Sequence, residues 1–277
     1  MLSILLGSFS LIARTENLQS RHLFDSTQAR YAAEAGLNLA IYELRKPDVL
    51  ARWVGDGRAY TFGFGDAKVE VRITNDSGKV DINRAGEDIL TGLFVGRGVP
   101  FDQAQALADA IQDWRESGIA KRPNGAKEAD YRAAGLSYGP TGMPFRTVSE
   151  VQQVLGMTYD LYQRVEPALT IYSGSSMPNV AFAPLEALVA LPGMTAECAQ
   201  EIIMLRQTVN PGDPPPATTC TNASIVARGG GSTYSVKSRA VLPNGGSATL
   251  DTTIRMGGIN AAGRPYMVLR WRDDETS

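Results

Sequence analysis

The sequence predicts an α+β protein in which a long N-terminal helix packs on an antiparallel sheet and a large all-α insertion separates the strands. Three observations carry this reading. Ala29, Ala32, Ala33, Gly36, Leu37, Ala40, Ile41 and Leu44 recur at spacings of three and four, which lays one apolar stripe along a helix. Strand signals form two groups, one before residue 75 and one after residue 233. Between them, from Asp81 to Arg206, a helix–turn–helix pattern repeats three times.

The first helix is expected from near Met1 to Arg45, on the order of 65 Å long, with Lys46-Pro47 ending it. Its first thirteen residues are apolar apart from Ser3, Ser8 and Ser10. Leu2, Ile4, Leu5, Leu6, Leu11 and Ile12 are the positions expected to face lipid or neighbouring fibre helices. That run is shorter than the roughly 20 residues a hydrocarbon core requires, so it reads as the tail of a membrane segment whose beginning is missing. Arg58–Phe64 and Lys68–Thr74, joined by Gly65-Asp66, read as a hairpin, with Val69, Val71 and Ile73 alternating against Lys68, Glu70 and Arg72.

In the helical block, each copy has an apolar segment, a Gly near its end and a second helix. Helices are expected to Gly98 and over Asp102–Arg115, then around Val151–Leu155 and up to Pro167, then around Leu188–Leu191 and up to Arg206. Gly after an apolar run is a C-cap signal, and Thr158 and Thr195 are candidate N-caps. Strands resume at Tyr234–Leu242, Ala248–Met256 and Tyr266–Arg272. The expected divisions are a helix over 1–46, the first part of the sheet domain over 47–80, the helical insertion over 81–208, and a linker with the rest of the sheet over 209–277.

The 277 residues carry a net charge of −2, 43% hydrophobic residues and one histidine, His22. That charge gives no general basic surface for nucleic acid. A lone histidine and two cysteines leave little from which to build a triad or a zinc site, so no enzyme is expected. Cys198 and Cys220 bracket a Pro-rich stretch. Two reduced thiols are one reading; a disulfide is favoured because it would tie down that linker, with a loop of this size contributing roughly 3 kcal/mol in the chain-entropy account. Asp102, Asp109, Asp113 and Glu116 recur at helical spacing, with Glu128 and Asp130 beyond a loop. Either a hard cation relieves the repulsion between these carboxylates, or they form a solvated face balanced by Arg115, Lys121 and Arg122.

The order of elements resembles a type IV pilin-like fold with an insertion. Ser77-Gly-Lys-Val-Asp-Ile-Asn-Arg-Ala85, Leu107-Ala-Asp-Ala-Ile-Gln-Asp-Trp-Arg115, Arg122-Pro-Asn-Gly-Ala126, Asp130-Tyr-Arg-Ala-Ala-Gly135, Ser149-Glu-Val-Gln-Gln-Val-Leu-Gly-Met157 and Val268-Leu-Arg-Trp-Arg272 resemble the GspK (general secretion pathway protein K) family of type II secretion minor pseudopilins. The resemblance implies a single-pass protein of the bacterial inner membrane with its globular part in the periplasm. It also implies a tip complex with GspI-like and GspJ-like proteins, which initiates and caps a fibre that drives folded proteins across the outer membrane, with secreted proteins as further possible partners. Family members bind calcium in the helical domain, which makes calcium the expected structural cofactor and Asp113, Glu128 and Asp130 its candidate ligands. The family's short basic prepilin leader is not visible, and Glu116-Ser117-Gly118 stands where family sequences commonly carry more acids.

Two other readings compete with this one. A minor pilin of a type IV pilus would share the helix and sheet. The paired helices also resemble the helix-hairpin-helix repeats of DNA-binding and DNA-uptake proteins, but Leu191-Pro-Gly-Met-Thr195 lacks a second Gly and a nearby Lys, and only Arg97 is suitably placed. No nucleic acid is therefore expected. Trp53, Trp114 and Trp271 read as core or groove fillers, and Asn222-Ala-Ser224 as a chance glycosylation triplet.

Overall fold

The computed structural model describes residues 2–210, 213, 220, 230–257, 263 and 265–274. Asn222-Ala-Ser224 and Pro214 to Pro216 lie outside the described residues, as do the side chains of Leu2, Ile4, Leu5, Leu6, Leu11 and Ile12. The chain forms two compact units, residues 1–53, 58–73 and 235–277 in one, and residues 54–57 and 74–234 in the other.

The first unit is a helix on a sheet. Helix α1 spans Leu2–Leu44. Strands β1 (Asp56–Phe64) and β2 (Ala67–Asn75) turn at Gly65, whose φ of 57° suits glycine. Val69, Val71 and Ile73 are fully buried while Lys68 and Arg72 are exposed, as their alternation requires. Two further strands, β5 (Thr233–Val241) and β6 (Ser247–Met256), turn at Gly245, and β7 (Tyr266–Asp274) pairs antiparallel with β6 through a bulge at Thr253/Ile254. The strand order is β1-β2-β5-β6-β7. The apolar stripe of α1 is buried from Ala29 to Ile41, with Gly36 directly over β2 and β5. At the sheet edge, Asp251 accepts from Arg270 at 2.8 Å and Arg272 at 3.1 Å, and Arg30 of α1 pairs with Asp273 at 3.0 Å. The terminal Val268–Arg272 motif is thus a strand held by charge pairs. Trp271 is 43% exposed on that strand, so it is not the filler expected.

The apolar run of α1 gives way after Ala13 to Arg14, Glu16, Arg21 and Asp25. Among the described residues no helix is long and apolar enough to cross a membrane, because these charges interrupt the run.

The second unit is mainly helical. Its helices are α2 (Glu87–Val95), α3 (Phe101–Arg115), α4 (Glu128–Ala133), α5 (Tyr159–Val165), α6 (Leu185–Leu188) and α7 (Ala196–Thr208). Three turns carry left-handed glycines, Gly98, Gly156 and Gly193, where the repeated pattern asked for them. Thr158 accepts from the Leu161 N–H and Thr195 from the Cys198 N–H, each at 3.2 Å, so both cap their helices. The first segment of the second copy, Val148–Gln153, winds as a 3-10 helix, with Thr147 and Glu150 forming a capping box. Two short strands, β3 (Val80–Asp81) and β4 (Leu169–Thr170), pair in parallel and were not expected. The core gathers Ile82, Leu90, Phe94, Trp114, Leu188 and Ile202. Gly92 and Gly78 make this packing possible, since a Cβ at either would sit 2.5 Å or less from the backbone of Ala190 or Phe182.

Candidate functional site

A cluster of charged side chains lies where α3 ends and the chain loops to α4. Asp109 and Asp113, one turn apart on α3, are each 1% exposed, so the middle of the acidic face is buried while Asp102 and Glu116 at its ends are exposed. Their carboxylates hold the loop's backbone. Asp109 Oδ2 accepts from the Asn124 N–H at 3.1 Å and Asp113 Oδ2 from the Arg122 N–H at 3.2 Å. Gly125 lies so close that a Cβ there would be 2.0 Å from Asp113 Oδ2.

Three cations close the loop. Arg122 donates to Asp113 Oδ1 at 3.2 Å and to Glu116 Oε1 at 2.7 Å. Lys127 Nζ donates to the Asp113 and Glu116 carbonyls at 2.7 and 2.9 Å, which satisfies the C-terminal end of α3. Lys121 Nζ donates to Asp130 Oδ1 at 2.8 Å, while Asp130 Oδ2 accepts from the Lys127 N–H at the start of α4. The hydrogen bond from Arg122 holds Glu116 below the usual carboxylate range, and that from Lys121 does the same for Asp130. The Glu116 bond in turn raises Arg122.

Of the expected calcium ligands, Asp113 and Asp130 belong to this one network through different cations, whereas Glu128 turns outward to Arg132 at 3.0 Å. The three do not converge, and among the described residues no group of three His, Cys, Asp or Glu is placed to hold a metal. These residues therefore do not fit a calcium centre. Arg115 makes no direct bond to these acids: it donates to the Ile82 and Ala85 carbonyls and so ties α3 to the segment before α2, while its charge acts on Glu116 from a distance. Lys127 had no signal in the sequence, because nothing periodic links it to α3.

Around the network, Trp114 lies 6.0 Å from Phe145 and 5.9 Å from Tyr131, ring centre to ring centre. Asn83 exchanges two hydrogen bonds with the Phe145 backbone, at 2.8 and 3.0 Å. Asp81 accepts from the Asn83 and Gly174 N–H groups at 2.9 and 2.8 Å. The Asp81-Ile-Asn83 motif is therefore a structural clamp. Burial pushes the Tyr131 hydroxyl up to about 12, with its oxygen accepting from the Leu155 N–H. The fold favours the neutral phenol, so this contribution is complete below pH ~10 and is lost as pH rises towards 12, on the order of 2 kcal/mol. Thermal melts between pH 9 and 12 should fall more steeply for the natural chain than for Tyr131→Phe.

Arg97, the candidate phosphate contact, pairs with Glu186 at 3.6 Å, and its carbonyl accepts from Arg164. Cys198 and Cys220 are joined by a disulfide. Beside the α3–α4 loop lies an open groove of about 570 Å³, lined by Glu116 to Ile119, Lys127, Glu128 and Pro140 to Gly142.

These features define a mixed helix-and-sheet protein whose buried charges hold its own loops in place. Residues 71–174 match the family model of the type II secretion system (T2SS), protein K. The chain is 26% identical over 170 residues to the type II secretion system protein K of Klebsiella pneumoniae, covering 54% of this chain and 52% of that one. Against the same protein of Pectobacterium carotovorum subsp. carotovorum it is 30% identical over 120 residues, 41% of this chain and 37% of the relative. The chain thus matches about half the length, or less, of these relatives. A chain from the crystal structure of the GspK-GspI-GspJ complex of enterotoxigenic Escherichia coli shares the fold, with a TM-score of 0.57 and 15% identity over 95% of this chain and 99% of that one.

Proposed function

We propose that this protein is a minor pseudopilin with a pilin-like helix and sheet, acting at the tip of a type II secretion fibre beside GspI-like and GspJ-like partners. The observation that carries the reading is the match of residues 71–174 to the protein K family model, in a chain that shares its fold with a member of the GspK-GspI-GspJ crystal structure. The outward face of α1 supports it. Phe24, Tyr31 and Tyr42, on one side of the helix, are each more than 60% exposed, a surface suited to packing against other helices. The tip position would initiate and cap the fibre, the bulk of the helical unit preventing further addition, and the fibre would help move folded proteins across the outer membrane. Its place would be the periplasmic side of the inner membrane, an oxidising compartment in which the Cys198–Cys220 disulfide persists.

Co-expression of the full chain with its GspI-like and GspJ-like neighbours, followed by size-exclusion chromatography, tests this directly. A complex with one copy of each is expected. Elution of the chain by itself would remove the tip assignment.

A further inference from the structure

We propose that the α3–α4 loop of this protein is closed by its own side-chain cations in the positions a hard divalent ion would require, so the helical unit keeps its shape without calcium. Two pairs of oxygens at the end of α3 each share one cation: the Asp113 and Glu116 carbonyls share Lys127, and Asp113 Oδ1 and Glu116 Oε1 share Arg122. All four already accept from nitrogen, the carbonyls from Lys127 Nζ at 2.7 and 2.9 Å and the carboxylates from Arg122 at 3.2 and 2.7 Å. Across the loop, Lys121 and the Lys127 N–H take both oxygens of Asp130.

The four acids Asp109, Asp113, Glu116 and Asp130 face the three cations Lys121, Arg122 and Lys127, which leaves one net negative charge, and Asp109 is turned to the Asn124 N–H. Calcium takes roughly six to eight oxygens, and to collect them here it would have to displace Lys127 and Arg122 and then sit beside both. Glu128, the remaining expected ligand, faces solvent with Arg132. Lys127 is fixed at the same time by its own N–H and by its ammonium, and so it holds the start of α4 against the end of α3.

The full chain would be melted in EDTA and in millimolar calcium chloride, and titrated with calcium by calorimetry. No thermal shift and no heat of binding are expected. Amide hydrogen exchange of Lys127→Met should show faster exchange across residues 116–130, with α7 unchanged. Calcium uptake with a raised Tm in the natural chain would overturn the proposal, as would unchanged exchange in the variant. If Lys127→Met does not fold, the melts and titration of the natural chain decide alone.

Discussion

Replacing Arg206 by Met is expected to destabilise the helical unit by about 3 kcal/mol. Arg206 closes the last turn of α7 and is 4% exposed. Its guanidinium donates to the carbonyls of Val180 and Ala183 at 2.9 Å and to that of Asp56 at 3.3 Å. Methionine would fill much of the space but leave buried acceptors without donors. A bond made is worth about 1 kcal/mol, whereas a buried group left unmatched costs roughly 1 to 3. Arg206→Lys should fall between, because an ammonium keeps the charge but lacks the planar fork that reaches several carbonyls at once. Urea denaturation of the three proteins, followed by circular dichroism, gives the order. An Arg206→Met variant as stable as the natural chain would show that these bonds do not hold the segment.

Gly36→Leu should be at least as damaging to the first unit, by about 3 kcal/mol or more. Even an alanine Cβ at this position would lie 2.1 Å from Ser238 Oγ and 2.9 Å from methyl groups of Val69 and Val71. The helical preference of alanine over glycine is worth about 1 kcal/mol, against an overpacking cost of about 1 to 3. Gly36→Ala is therefore expected to lose about 1 kcal/mol net. Among the described residues the buried Ser238 hydroxyl has no hydrogen-bond partner, so Ser238→Ala removes both the nearest obstacle and an unmatched polar group. The double variant should recover part of the Gly36→Ala loss, and a double-mutant cycle measured by thermal melts reads that coupling. Strict additivity of the two changes would count against the close contact.

What could be read in the sequence was local. The stripe of α1, the alternation of β2 and the glycine and threonine signals at helix ends follow from periods of 3.6 and 2 and from backbone preferences of single residues. Each of these lies where it was expected, to within a residue or two. The two-residue strands β3 and β4 carry no pattern, since their pairing depends on a partner almost ninety positions away. Asp109 and Asp113 were misjudged for a different reason. Acids at helical spacing usually face water, and only the return of residues 122–125 over α3 buries them. A cluster of carboxylates likewise does not reveal in sequence which lysines and arginines fold back onto it.

The β3–β4 pairing also bears on how the unit folds. By bonding Val80 and Asp81 to Leu169 and Thr170 it brings together the two ends of everything from residue 82 to residue 168. Closing a loop of that length is entropically costly, but the cost grows only with the logarithm of length, about 0.6 kcal/mol per doubling. Lengthening an exposed loop of the enclosed segment should then change stability little, while the long sequence separation slows the search for the pairing. Two-residue strands give few bonds to offset that search, so the pairing should form late, after α2 and α3 have packed. Residues added at exposed loop positions within the enclosed stretch, away from its buried core, should therefore be tolerated by the strands on either side.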